Sequence, residues 1–166
     1  TLEGKAMLEL RNLPQIIGAD SEKTRERASK FFYNMTPTIV QVSSLETAEL
    51  IKLVDNTYRD VQFGFANEVA RICEAYGINA LEVINGGKLS YPRTNVPLPG
   101  LVGGPCLEKD PHILSQSLEE KNINLEITQA ARLVNERQPI ETLSFVKRCL
   151  EVNIKQKKIK VKLLLM

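Results

Sequence analysis

Two glycines lead into Pro105 and Cys106, and Leu107, Glu108, Lys109, Asp110 and Pro111 follow, giving the run GGPCLEKDP. A thiol in a glycine-bounded loop just ahead of a helix is a candidate nucleophile. Pro111 is a favoured first helical residue, so the start of that helix and Lys109 both place positive charge beside the sulfur. Gly103 and Gly104 let the backbone approach whatever the sulfur attacks. An equally available reading makes Asp110 the N-cap, the glycines a turn and Cys106 incidental. Local chemistry leaves both open. The single histidine, His112, lies six residues on. A hydrolytic Cys–His pair draws its histidine from a distant element and orients it with a third group, which argues against a cysteine hydrolase. No Cys or His partner stands at metal-ligand spacing. Cys73 and Cys149 lie in helical patterns with apolar neighbours and read as small core residues.

A second set of residues lies upstream. Lys52 and Asn56 are four apart and share a helix face, and Asp60, Phe63 and Asn67 continue roughly along that stripe. An ammonium above a carboxamide can serve one oxyanion. The competing reading is a stripe that faces solvent.

These residues must be positioned by helices. Residues 1–44 alternate helix and strand: TLEGKAMLELRNL, the apolar run PQIIGA, the helical SEKTRERASKFFYNM behind an Asp-Ser cap, and the strand-like TIVQVSS. That is the βα pattern of the end of an α/β domain. From Leu45 to Tyr76 one long helical pattern runs about 45 Å at 1.5 Å per residue, and Gly77 stops it. INALEVINGG reads as a shorter helix ended by its two glycines. Residues 88–105 hold four prolines and three glycines and predict a structured loop. Helices are expected over about 111–121 and 124–150, the second interrupted at Pro139. The fold class is therefore mainly α with an α/β remnant: 1–44 as the C-terminal part of an α/β domain, 45–150 as a central helical domain, and 151–166 as a first strand region.

The 166 residues suffice for a domain with a real core. A net charge of +2 favours neither nucleic acid nor an anionic membrane as the partner, and three widely spaced cysteines make no disulfide framework, which fits a cytoplasmic setting. Neither a signal peptide nor a membrane span is visible. The opening on Thr1 and the closing KIKVKLLLM suggest a segment of a larger protein.

Taken together, TLEGKA with LPQIIGA, AELIKLVDNTYRDVQFGFANEVARIC, YGIN with EVI, YPRTN, GGPCLEKD and AARLVNERQP resemble the nucleotide-sugar 6-dehydrogenases, the UDP-glucose/UDP-N-acetylmannosamine dehydrogenase family. NTYRDV and PRTN lean toward the N-acetylmannosamine branch. The resemblance implies oxidation of the C6 hydroxyl of a UDP-sugar to a carboxylate with two equivalents of NAD, through a cysteine thiohemiacetal and thioester. It implies that Cys106 is the nucleophile and that Lys52 and Asn56 stabilise the oxyanion and orient water. Asp110 would position or activate the hydrolytic water. Glu3, Arg93, Asn95, Gly103 and Gly104 would lie at the substrate, with Glu3 and Lys109 also at the cofactor. It further implies the end of a Rossmann-type NAD domain in 1–44, a homodimer through the central helices, and a C-terminal UDP-binding domain begun in 151–166. Two departures stand out. The approach PGLVGGPC is shorter than the family's usual glycine run, and no Gly-x-Gly-x-x-Gly follows a strand. The chain alone is therefore expected to be inactive. The alternatives are a non-catalytic helical dimerisation module and a single-step hydroxyacid dehydrogenase relative, which would not need Cys106.

Overall fold

The computed structural model describes residues 4–154. The strand expected in KIKVKLLLM and the candidate Glu3 lie outside the described residues. The chain divides into two compact units, one ending at Asn56 and the other beginning at Thr57.

In the first unit, α1 (Ala6–Asn12) leads to β1 (Gln15–Ile17), α2 (Glu22–Tyr33), β2 (Ile39–Gln41) and the opening turns of α3 (Leu45–Tyr76). The strands pair in parallel, with Gln15 opposite Ile39 and Ile17 opposite Gln41. α2 begins where the sequence asks it to: the Ser21 hydroxyl accepts from the Thr24 N–H, satisfying one of the helix's orphan donors. Parallel strands need a crossover connection, and here it is α2, tied back by Arg25 donating to the Val42 and Ser43 carbonyls. Ile17, Ala19 and Thr36 are buried, and the Thr36 hydroxyl donates to the Leu13 carbonyl at 2.7 Å. Gly18 is demanded by packing, since a Cβ there would fall on the Ser44 carbonyl oxygen. Ser44 itself caps α3, accepting from the Thr47 N–H at 3.1 Å.

The second unit holds the rest of α3, then α4 (Ala80–Lys88), α5 (Asp110–Gln116), a 3-10 turn at Glu119–Lys121 and α6 (Glu126–Ile154). α3 ends as expected. Gly77 takes φ +66°, its N–H donates to the Glu74 carbonyl, and the Ile78 N–H reaches back to Cys73. This pair of bonds is the Schellman closure that a C′ glycine permits.

Several expectations are corrected. α4 runs through Gly86 and Gly87 to Lys88. The Asn79 side chain caps its start, Ile84 is buried beneath it, and the left-handed residue that turns the chain is Ser90, not a glycine. α5 stops at Gln116, and Asn122 in the left-handed region separates the 3-10 turn from α6. Pro139 does not interrupt α6, which continues to Ile154. Cys73 is buried but Cys149 is exposed, because α6 has no buried residue between Glu136 and Glu151.

α3 and α6 meet closely. A Cβ on Gly64 would stand 3.0 Å from the Ala131 Cβ, so the small residues set the approach. Around this contact the buried residues are unusually polar: Thr57, Asp60 and Asn67 on α3, and Thr128, Arg132 and Asn135 on α6.

Candidate functional site

Cys106 is exposed in a loop that is already turning into α5. The Glu108 N–H donates to the Gly104 carbonyl at 3.1 Å, and the Asp110 N–H to the Cys106 carbonyl at 2.9 Å. This second bond spans four residues, as in a helix, so Asp110 follows Cys106 by one turn of the chain, with the cysteine exposed and the aspartate buried. Gly104 has φ +97°, which a side chain would strain. A Cβ on Gly103 would come within 2.9 Å of a Glu108 carboxylate oxygen. The two glycines and the cysteine thus belong to one tight turn.

Asp110 is not the N-cap. That position falls to Lys109, which makes no side-chain cap bond, while Asp110 is the first residue of α5 and only 1% exposed. A carboxylate so placed is held by the protein, since a buried charge is tolerated only with partners. Lys109 is exposed beside it. His112 Nε2 lies 3.2 Å from Glu136 Oε1 on α6, so the ring joins α5 to α6.

Arg93 and Asn95 are exposed in the segment between α4 and α5, with the Arg93 guanidinium 5.1 Å from the centre of the Tyr91 ring, a cation–π distance. Lys52 and Asn56 sit one turn apart on α3 in the first unit, Lys52 exposed and Asn56 half-buried. The stripe they begin does not continue as a solvent face, because Asp60 and Asn67 are fully buried.

Sequence reasoning missed the polar network these two residues enter. Arg132 Nη1 donates to Asp60 Oδ1 at 2.6 Å and to the Leu107 carbonyl at 3.2 Å. Asn135 Nδ2 donates to Asp60 Oδ1 and to the Asp60 carbonyl, both at 2.9 Å. Asn67 Nδ2 donates to Asn135 Oδ1 and to the Gly100 carbonyl, each at 3.1 Å, and the Gly100 N–H returns a bond to Asn67 Oδ1 at 2.8 Å. The signal was present in the spacing. Thr57, Asp60, Gly64 and Asn67 recur at helical intervals, as do Thr128, Ala131 and Asn135, and each set is small or polar.

Among the described residues no group of three or more His, Cys, Asp or Glu side chains is arranged to hold a metal ion. Likewise, no helix among them is long and apolar enough to cross a membrane.

Residues 46–137 match the UDP-glucose/GDP-mannose dehydrogenase family, central domain. The chain belongs to this family. It is 35% identical over 156 residues to a UDP-N-acetyl-D-mannosamine dehydrogenase of Pyrococcus horikoshii, covering 93% of this chain and 36% of that protein. A UDP-N-acetyl-D-mannosamine dehydrogenase of Yersinia pestis is 36% identical over 148 residues, 88% of this chain and 34% of the other. A solved structure of a UDP-D-ManNAc dehydrogenase from Pyrococcus horikoshii superposes with a TM-score of 0.81 at 34% identity, over 92% of this chain and 36% of that one. The chain thus spans about a third of the length of these relatives.

Membership of a dehydrogenase family suggests a nicotinamide acceptor in general, and among the described residues the turn from β1 to α2 does not fit its pyrophosphate. A dinucleotide cradle needs glycines that bring backbone N–H groups against the ligand at a strand-to-helix turn. The turn from β1 to α2 has one glycine, Gly18, and the space beside it is filled by Ser44.

Proposed function

We propose that this chain is the cysteine-bearing central segment of an NAD-dependent UDP-sugar 6-dehydrogenase, most similar to UDP-N-acetylmannosamine dehydrogenase. The observation that carries the reading is the Cys106 turn: an exposed thiol one helical turn ahead of a 1%-exposed Asp110, inside the stretch that matches the family's central domain. In this reading the C6 alcohol becomes an aldehyde, and the Cys106 sulfur adds to its carbonyl carbon to give a thiohemiacetal. That adduct still carries a transferable hydride, which a bare aldehyde has no good way to give up. Its oxidation leaves a thioester, and water cleaves the thioester to the carboxylate and the free thiol.

The chain's own residues have the following roles. Lys52 and Asn56 supply an ammonium and an amide to the oxyanion of the tetrahedral adducts. Asp110 positions the hydrolytic water. Glu3, Arg93, Asn95 and the backbone at Gly103 and Gly104 would serve the sugar nucleotide, and Glu3 and Lys109 the cofactor. NAD, the acceptor the resemblance implies, would be held elsewhere in the whole protein, so the chain alone is inactive. Residues 1–44 are read as the end of the NAD domain, 45–150 as the central domain and 151–166 as the start of the UDP-binding domain.

The central helices would also form a homodimer. Tyr58, Phe65 and Ile72 on α3 repeat every seven residues and are exposed, as are Leu133 and Ile140 on α6, which is the spacing of a helix-pairing seam.

The test uses the whole protein with UDP-N-acetylmannosamine and NAD. Two NADH per sugar acid formed supports the reading. Full activity in Cys106→Ala, or one NADH per turnover in the unaltered enzyme, refutes it in favour of a single-step enzyme.

A further inference from the structure

The stretch from Gly100 to Leu107 carries Cys106, and both of its ends are gripped by the same buried network. At the Gly100 end the Asn67 carboxamide acts like a strand neighbour, accepting from the Gly100 N–H and donating to its carbonyl. At the Leu107 end, one residue past the cysteine, Arg132 donates to the backbone carbonyl. Between them the chain of contacts is unbroken: Asn67 to Asn135, Asn135 to Asp60, Asp60 to Arg132. All four residues are at least 96% buried, with Asp60 and Asn67 at 0%, Asn135 at 1% and Arg132 at 4% exposed.

Apolar packing alone would hold α3 against α6 without regard to the loop. Hydrogen bonds are directional, and side chains desolvated together favour the arrangement that pairs most of their polar atoms; here every network side chain is bonded, while Asp60 Oδ2 and Arg132 Nε have no partner among the described residues. A network that spends its outermost donors on two loop backbone groups fixes where that loop lies. We propose that Asn67, Asn135, Asp60 and Arg132 form a clamp whose function is to set the position of Cys106, making them positioning residues for the reactive thiol. The role of the thiol rests on the proposed function. The clamp does not, and its test needs neither sugar nucleotide nor NAD.

The three cysteines supply the assay. Cys73 is buried and reports global opening, Cys149 is exposed and serves as the reference, and Cys106 is the readout. The 166-residue chain is alkylated with iodoacetamide, and each site is followed by peptide mass spectrometry. Arg132→Lys keeps a charge for Asp60 but loses the planar fork that reaches Leu107 as well. Because Cys106 is exposed with the loop held, releasing the loop changes its surroundings rather than uncovering it, and the Cys106 rate relative to Cys149 is expected to shift by more than about twofold, up or down, with Cys73 still protected. Asn67→Ser, at the other end, should shift the ratio in the same direction, while Lys147→Ala, exposed on α6, leaves the ratio unchanged. A ratio within about twofold of the parent in both variants, with Cys73 protected, overturns the clamp, since the surroundings of the thiol would then not depend on these bonds. If both variants expose Cys73, the network is a stability element only, and the proposal fails.

Discussion

Asp60 and Arg132 form a fully buried ion pair whose cost of disruption can be reasoned from its contacts. Nη1 and Oδ1 are 2.6 Å apart, with the two side chains 5% and 0% exposed. Removing one partner of such a pair leaves an uncompensated buried charge and costs about 3–5 kcal/mol. The two deletions should fall at different ends of that range. In Asp60→Leu the guanidinium keeps Glu136 Oε1 at 3.4 Å, a partner that is itself 48% exposed, and keeps the Leu107 carbonyl, so about 3 kcal/mol is expected. In Arg132→Met the carboxylate keeps, among the described residues, only Asn135, through Nδ2 at 2.9 Å; the cost should approach about 5 kcal/mol. A domain of this size has about 5–15 kcal/mol in all, so Arg132→Met stands near the edge of unfolding.

The double variant is the sharper case. Asp60→Leu with Arg132→Met removes both charges, and what remains lost is one acceptor of Asn135 and one donor to Leu107, about 1 kcal/mol each. The double variant should therefore cost about 2–3 kcal/mol and be more stable than Arg132→Met alone, because paired charges replaced by apolar groups are close to neutral. Urea melts of the chain followed by far-ultraviolet circular dichroism give the four corners of the cycle. Single costs that add to within about 0.5 kcal/mol would mean that the two side chains do not interact, and the ion pair would then have no place in the argument.

Other perturbations test other contacts. Gly18→Ala drives a methyl onto the Ser44 carbonyl; because backbone must move, a loss of about 3 kcal/mol is expected in a thermal melt, and a neutral result refutes the close approach. Gly64→Ala meets Ala131 Cβ at 3.0 Å, but the helix gains about 1 kcal/mol from alanine, so its cost should be visibly smaller than that of Gly18→Ala. Glu46 is held below the ordinary carboxylate range by a hydrogen bond from the Ser44 hydroxyl and then by its own backbone N–H. A lowered folded value gives stability that is present above the unfolded carboxylate pKa and is lost as pH falls through the folded one. Glu46→Gln should therefore lower the melting temperature at neutral pH, and the gap should close in acid; a gap that widens in acid reverses the sign and refutes the assignment. In the whole protein, Asp110→Asn should slow thioester cleavage, so that an acyl adduct on Cys106 becomes detectable by mass spectrometry; unchanged turnover with no adduct would remove Asp110 from that step.

The long helix was legible because its signals agree. Apolar periodicity over Leu45–Tyr76 and a glycine at the next position ask for the same ending, and the bonds at Gly77 and Ile78 supply it. α4 was misjudged because glycine is the commonest helix stop, whereas here the buried Ile84 and the Asn79 cap carry the helix past both glycines. Cys149 looked like core because its neighbours are apolar, yet periodicity says which residues share a face and not how far along a helix its packing partner reaches. The loop was legible as chemistry from GGPCLEKDP, and the structure adds that Cys106 and Asp110 belong to one turn.

The polar face of α3 was the hardest to read, for a physical reason. Asp60 and Asn67 on a helix read as solvated when the sequence offers no partner, and their partners Arg132 and Asn135 lie some seventy residues away. Small residues settle the matter: Gly64 and Ala131 allow the helices to approach until short polar side chains can span the gap. The same closeness lets Arg132 and Asn67 reach past the interface to loop backbone at Leu107 and Gly100. Bulkier apolar residues at those positions would stabilise the helix pair and leave the loop ungripped. The polar interface thus has a consequence that burial alone would not have: it ties the position of one exposed thiol to the packing of two helices.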